Sequence, residues 1–155
     1  MCDYSLGGIP NRLAVEGDRL VVKAFQTGTI GLASVEDVER AQCAAQAKKT
    51  LWQRLKLLCT ADWSDVPAVC VPPGALLILR DVPREMQTQF GLRESEIVEF
   101  TQTAMDANRH RDAFRFPRGQ DVLLQRLKPG LRVTVLSLDF SGAGMEAPEL
   151  REVAV

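Results

Sequence analysis

The sequence predicts one α+β domain, mostly antiparallel β, in which a bent sheet or small barrel of about seven or eight strands carries one long helix. Its 155 residues are a usual length for a single domain, and 46% hydrophobic with 25% charged residues is ordinary globular composition. Short β-type runs recur between turns rich in proline and glycine. Because one stretch alone is long enough for a crossover helix, a doubly wound parallel sheet is disfavoured.

The chain begins with a predicted hairpin. Residues 12–25 place β-branched and aliphatic residues on both sides of Glu16-Gly17-Asp18, which is the pattern of two strands joined by a tight turn. The glycines of Gly28-Thr29-Ile30-Gly31-Leu32 then indicate a loop that either turns the chain or lets another backbone approach closely.

One long helix is predicted over residues 35–59. Ser34 has the character of an N-cap before an acidic first turn, and apolar residues follow near helical spacing. Trp52 lies in the second half of this helix, where Arg54 and Lys56 add to a basic face. Such a helix packs on the sheet with its lysines in solvent, lies on a membrane, or docks a partner. Trp52, Arg54 and Lys56 are therefore the candidate partner-binding residues.

The second half of the chain consists of predicted strands around one short helix. The strands are expected near residues 66–71, 75–82, 96–104, 113–116, 121–127 and 131–139. Pro83 and Gly91 are placed to begin and end a helix near residues 83–90, since proline suits a first helical turn and glycine a C-terminal cap. The last three strands, separated by Pro-Gly turns, predict a meander. We expect one domain over residues 1–140 and a loose tail over 141–155.

Charge and hydropathy narrow the classes of function. The 19 basic and 20 acidic residues leave a formal charge of −1, so no overall field attracts nucleic acid. No apolar run approaches the roughly 18 residues of a membrane span, and no secretory leader pattern follows Met1, so we expect a cytoplasmic protein. The four cysteines form no C-x-x-C pair, and in that compartment we expect reduced thiols without a structural zinc. They are Cys2, Cys43, Cys59 and Cys70.

Four residues have side chains suited to a mononuclear metal site. Cys2, Cys70, His110 and Asp112 supply thiolate, imidazole and carboxylate groups, which can together bind a single transition metal such as zinc, iron or copper. Cys2, His110 and Asp112 are also the candidate catalytic residues. Removal of Met1 would place a thiol beside an α-amine, and His110 is the sole histidine. The alternative is a packed thiol and a polar loop around His110.

Arginine and phenylalanine side chains interleave around residue 114. The residues are Arg109, Arg111, Arg115 and Arg118, with Phe114 and Phe116. Arginines that grip phosphates beside rings that stack on bases would form a nucleic-acid surface. Alternation along a strand instead predicts both rings in the core and Arg115 in solvent, and this second interpretation is the one we favour.

The chain resembles a family of short, uncharacterised bacterial proteins that open with Met-Cys-Asp-Tyr-Ser-Leu, as residues 1–6 do here. Its other motifs match Val69-Cys70-x-x-Pro73-Gly74, His110-Arg111-Asp112-Ala113, Phe116-Pro117-x-Gly119, Val122-Leu123-Leu124, Gly130 and Thr134-Val135-Leu136. This chain departs from the family at Arg118, where an acidic residue is expected, and residues 34–65 look like an insertion. The family has no known activity, so the resemblance implies no mechanism, although its motifs fall on the four candidate metal ligands.

These observations rank three functions. We expect a non-enzymatic accessory or protein-interaction domain that uses its sheet edge or helix against a protein partner or a second copy of itself. The alternative is a metal-binding or thiol-based redox or hydrolytic protein, with a single transition metal as its one expected cofactor. Nucleic-acid binding through the four arginines ranks third.

Overall fold

A computed structural model describes residues 8–47, 66–103 and 111–138. The strands in these ranges are β1 (Asn11–Leu13), β2 (Arg19–Ala24), β3 (Ile30–Ser34), β4 (Ala68–Cys70), β5 (Leu76–Arg80), β6 (Glu96–Gln102), β7 (Asp112–Arg115), β8 (Asp121–Leu123) and β9 (Arg132–Ser137). The helices are α1 (Val35–Ala47) and α2 (Arg84–Phe90), and a 3₁₀ turn covers Leu124–Arg126. No helix in these ranges is long and apolar enough to cross a membrane.

The described strands form one sheet in the order β1-β4-β3-β2-β9-β5-β6-β7-β8. All neighbours are antiparallel except β1 and β4, so the predicted α+β class with a mostly antiparallel sheet is confirmed. The described ranges contain nine strands rather than seven or eight, and the sheet is open rather than closed into a barrel. It is nevertheless strongly curved. Gln125, just after β8, donates a hydrogen bond to the Ile30 carbonyl of β3 at 3.1 Å, although five strands separate β3 from β8 in the sheet.

The hairpin predicted for the first two strands is wrong. β1 pairs in parallel with β4, while β2 pairs with β3 and β9. The turn between them directs the chain elsewhere, because Gly17 N donates to Val135 O and Val135 N donates to Asp18 O. The first true hairpin joins β2 to β3 through the tight loop that Phe25 N closes on Thr29 O.

The predicted meander is correct only for its first two strands. β7 and β8 form a hairpin, but β9 pairs with β2 and β5 rather than with β8. The 3₁₀ turn ends β8 early, and Leu131 O then accepts a hydrogen bond from Val22 N, which brings the chain alongside β2 before β9 begins. The local pattern of strands and turns could not predict that β9 pairs with β2, because β2 lies far away in the sequence.

The long predicted helix is described only in part, whereas the short one is described in full. The described part of the long helix is α1, Val35–Ala47, and residues 48–65, including Trp52, Arg54 and Lys56, lie outside the described residues. The prediction for the short helix is confirmed. Pro83 caps the N-terminus of α2, and Gly91 caps its C-terminus in the left-handed conformation with φ of 65°. Residues 1–7 and the predicted tail, 141–155, also lie outside the description.

The main core lies on the inner face of the curved sheet. Its largest fully buried side chains include Leu20, Leu77, Leu79, Phe114 and Val133. A smaller second cluster lies on the outer face, where Val38 and Ala41 of α1 pack against Phe25, Ala33, Val66 and Ala68. The outer face of β2, β3 and β4 is therefore covered by a helix.

A charged network anchors the first turn of α1 to β2. Arg19 donates two hydrogen bonds to Glu36 Oε1, at 3.0 and 2.7 Å, and the Ser34 hydroxyl donates to Glu36 Oε2 at 2.7 Å. Hydrogen bonds from Ser34, from Arg19 and from its own backbone N–H lower the pKa of Glu36 to about 2. A carboxylate in the first turn of a helix is also favoured by the helix dipole. Ser34 therefore stabilises the start of α1 through its hydrogen bond to the Glu36 carboxylate.

Candidate interaction surface

Two of the four residues proposed for a metal or catalytic site lie outside the described ranges. Cys2 and His110 are outside them, as is Arg109. Cys70 ends β4, is 7% exposed, and is disulfide-bonded. The expectation of four reduced thiols is therefore wrong at Cys70. Cys43 is an exposed free thiol. A disulfide sulfur is not a thiolate ligand, so metal binding by Cys70 would require its reduction.

The structure does not bring Cys70 and Asp112 together. Val69 and Val71 point into the main core, so Cys70 between them faces the outer side of the sheet. Asp112 lies on the inner side with Phe114 and accepts a hydrogen bond from Gln102 Nε2 at 2.9 Å. Five strands lie between β4 and β7. Among the described residues, no group of three or more metal-binding side chains is present.

Two of the interleaved residues, Phe114 and Arg115, lie in β7, which is an ordinary half-buried strand. Phe114 and Phe116 are in the core at 0% and 2% exposed, so neither ring is open to a base. Arg115 is exposed and pairs with Asp121 through two hydrogen bonds, at 2.9 and 3.1 Å. The hydrogen bond from Arg115 to Asp121 and the attraction between their charges raise the pKa of the guanidinium. The predicted alternation is confirmed, and the described rings cannot stack on bases.

Arg118 is placed against the end of α2. A Cβ built on Gly91 would lie 2.8 Å from Arg118 Nη1, so the guanidinium occupies the space beside this glycine. Cations are favoured where the last carbonyls of a helix lack partners. Arg118 therefore has a structural setting at the C-terminus of α2.

An apolar surface that the sequence reasoning missed lies on the outer face of β9, β5 and β6. We call it the apolar strip, and it consists of Leu76, Ile78, Ile97 and Leu136. The register pairs Ile78 directly with Ile97 on β6, and Leu76 lies two residues along β5 on the same face. A bulge in β9 leaves Leu136 without a partner on β5, and its side chain is 43% exposed.

The apolar strip is separate from both cores. Leu76, Ile78 and Ile97 are partly exposed, and none of the four residues belongs to either hydrophobic cluster. The inner residues of the same strand, Leu77 and Leu79, are fully buried. The strip is thus a second apolar surface on the reverse side of the strands that build the core.

Two arginines lie at one end of the apolar strip. We call Arg80 and Arg132 the arginine pair, because the register places them directly opposite each other on β5 and β9. Both are exposed, and within the described structure neither side chain has a hydrogen-bond or ion-pair partner. Arg80 shares its face with Ile78, two residues earlier on β5. The surface therefore joins an apolar stretch to two unpaired positive charges.

A polar cleft of about 500 Å³ opens beside the arginine pair, between the end of β5 and the segment before β6. Its lining residues are Asp81, Val82, Arg84, Gln87, Thr88 and Glu94. Asp81 is the one described non-glycine residue with a left-handed backbone, at φ of 54°. Arg84 and Glu94 line the same cleft as Asp81.

Comparison of the chain with protein families, with curated proteins and with solved structures finds no match. The resemblance drawn from the sequence motifs therefore stays a prediction, and the surface chemistry is the basis for a functional proposal.

The sequence held a partial signal for the apolar strip. Ala75–Leu79 is a continuous apolar run, and a strand with such a run is apolar on both faces. That signal could have indicated a second surface. It could not have located Ile97, Leu136 or the arginine pair beside it, because those residues come from other strands and meet only through register.

Proposed function

We propose that this protein is a non-enzymatic interaction domain that binds a protein partner on the apolar strip. The observation that carries the proposal is the direct pairing of Ile78 with Ile97 on an outer sheet face, next to the exposed Leu136. Contiguous apolar patches on a protein surface mark sites of association, whereas isolated apolar side chains do not. Register makes these residues neighbours, so they form a patch.

The chemistry of the strip supports binding rather than catalysis. Its four side chains are aliphatic and carry no nucleophile, acid or base. The nearest carboxylate in the ladder is Glu99, which pairs with Leu76 and lies 4.0 Å from the guanidinium of Arg115. An apolar centre with a charged rim is the usual anatomy of a protein interface.

The experiment compares three purified forms of the chain as bait. These are the wild type, Ile78→Glu, and a control, Leu13→Glu, which changes an apolar side chain that is 72% exposed on β1, away from the strip. Circular dichroism and urea unfolding establish that each form is folded. Proteins retained from a lysate of the source cells are identified by mass spectrometry, and each is then purified and titrated against the three forms. Sedimentation velocity detects a second copy of the chain as the partner.

We expect a partner, or self-association, that wild type and Leu13→Glu share and that Ile78→Glu weakens at least tenfold, on the order of 1.4 kcal/mol. A buried glutamate would cost at least this much, because its charge would lose water without gaining a partner. Equal binding by all three forms, or no partner and no self-association for any form, would contradict the proposal.

A further inference from the structure

The arginine pair places two like charges directly opposite each other on neighbouring strands. Side chains directly opposite each other on antiparallel strands have Cβ atoms roughly 4.5–5.5 Å apart, and like charges at this separation destabilise the sheet. Arg80 and Arg132 stand in this relation on β5 and β9. An anion between the two guanidinium groups would convert the repulsion into two attractive contacts, since arginine binds carboxylates through paired hydrogen bonds.

Neighbouring carboxylates do not neutralise the arginine pair. Asp81 follows Arg80 directly but lines the polar cleft with Glu94. On the other side, the register pairs Arg132 with Val21 of β2, which is apolar. No ion pair in the described structure includes either arginine. The positive charge therefore remains available at the end of the strip.

The outer face of β2, β3 and β4, which α1 covers, shows how this sheet binds a helix. There α1 lays Val38 and Ala41 on the sheet, and Arg19 of β2 holds Glu36 in the first turn of the helix. The outer face of β9, β5 and β6 has the same two components, an apolar surface and arginine side chains. The apolar strip offers a surface for a helix, and the arginine pair at its end lies on the same face, as Arg19 does for α1.

We propose that the arginine pair binds an acidic residue in the first turn of an amphipathic helix supplied by the partner, with the apolar face of that helix on the strip. This inference rests on the proposed function, which requires the strip alone. The outward residues Arg80, Ile78 and Leu76 are about 7 Å apart along β5, so they span about 14 Å. Three helical turns cover about 16 Å, so a helix that carries an acidic residue in its first turn and apolar residues in the next two is long enough to reach from the arginine pair to Leu76.

The test measures binding of a fluorescein-labelled amphipathic helical peptide of about 18 residues, with two glutamates in its first turn and leucines along one face. A matched peptide replaces the glutamates by glutamine. Fluorescence anisotropy gives the Kd of each peptide for wild type, for the double variant Arg80→Gln/Arg132→Gln, and for Arg126→Gln. Arg126 is an exposed arginine in the 3₁₀ turn without a described partner, so it controls for loss of charge.

We expect the glutamate peptide to bind wild type and Arg126→Gln at least tenfold more tightly than the double variant, and the glutamine peptide to bind all three weakly. Added salt should reduce the preference for glutamate. Equal binding of the two peptides to wild type, or equal loss of binding in Arg126→Gln, would overturn the inference. Tighter arginine-dependent binding of inorganic phosphate or single-stranded DNA than of the glutamate peptide would overturn it as well.

Each of the two proposals can be contradicted while the other stands. If Ile78→Glu abolishes partner binding while the arginine double variant retains it, the interaction domain stands and the acidic helix is rejected. If the arginine double variant loses the glutamate peptide but Ile78→Glu binds it as tightly as wild type does, the peptide does not lie on the strip. The docking geometry would then be wrong.

Discussion

The outer face of the sheet has two halves that differ in what lies on them and in the size of their side chains. Beneath α1 the strands present Ala33 and Ala68, a register pair with both side chains fully buried. On β5 and β6, beyond the reach of the second cluster, the corresponding outward residues are Leu76, Ile78 and Ile97. Small residues let a helix approach the sheet closely, whereas large aliphatic ones need a partner of matching shape.

This difference separates a contact made during folding from a surface suited to binding. The covered half combines small side chains with an anchor, the Arg19–Glu36 pair, that belongs to the same chain. The other half combines large side chains with two arginines that have no described partner. Four substitutions test this comparison.

The largest effect is expected from Ala33→Leu, under the helix. Ala33 is fully buried between β3 and α1, so three added carbons must displace the helix or strain the sheet, at a cost of about 1–3 kcal/mol. Urea unfolding followed by circular dichroism measures the change in the free energy of unfolding.

The matched change on the other half is Ile78→Ala, which removes carbon atoms from a partly exposed side chain. We expect a loss of at most about 1 kcal/mol, because little of the removed surface is buried within the chain. If Ile78→Ala costs as much as Ala33→Leu, the two halves are equally part of the folded core, and the distinction between them is wrong.

A smaller, pH-dependent effect is expected from Glu36→Gln at the anchor of α1. Because the pKa of Glu36 is lowered from 4.5 to about 2 in the folded chain, its contribution is complete above about pH 4.5 and is lost as the pH falls toward 2. The side chain is 47% exposed, so screening by solvent reduces this contribution to about 0.5 kcal/mol. Unfolding free energies of wild type and variant should differ at pH 7, and the difference should shrink between about pH 4.5 and pH 2. A difference in unfolding free energy that does not change with pH would show that the charge of Glu36 does not stabilise the attachment of α1 to β2.

The smallest effect, and one of opposite sign, is expected from Arg132→Gln. Removing one member of a like-charged cross-strand pair should stabilise the free protein by about 0.2–1 kcal/mol at low ionic strength. In about 1 M NaCl the gain should vanish, because salt screens charges beyond roughly 3 Å. Arg126→Gln serves as the control and should show no such gain. Destabilisation by Arg132→Gln at low salt would mean that the arginines have a structural role.

The sequence predicted the local elements well and their pairing poorly. The short helix between Pro83 and Gly91 is confirmed because proline and glycine fix backbone angles at those positions alone. The first hairpin is wrong for the opposite reason. Val15–Asp18 does form a turn, closed by Asp18 N on Val15 O, yet the strand that follows it pairs with β9, far along the chain.

The candidate site was predicted from residue types, which indicate local properties of a strand but not which distant residues lie close together. It identified Arg115 as a solvated residue and Phe114 as a core residue, since alternation along one strand is a local property. It also grouped Cys70 with Asp112, which lie on opposite faces of the sheet. Chemical suitability for a shared ligand contains no information on distance.

The sequence by itself determined the class of the fold, the sites of most strands and turns, and which side chains in each strand alternate. These properties depend on residues within a few positions of one another. The tertiary structure alone decided that Ile78 meets Ile97, that Arg80 opposes Arg132, and that α1 covers one half of the outer face. Those contacts depend on register and strand order, which are set by the packing of the whole core rather than by any short stretch of chain.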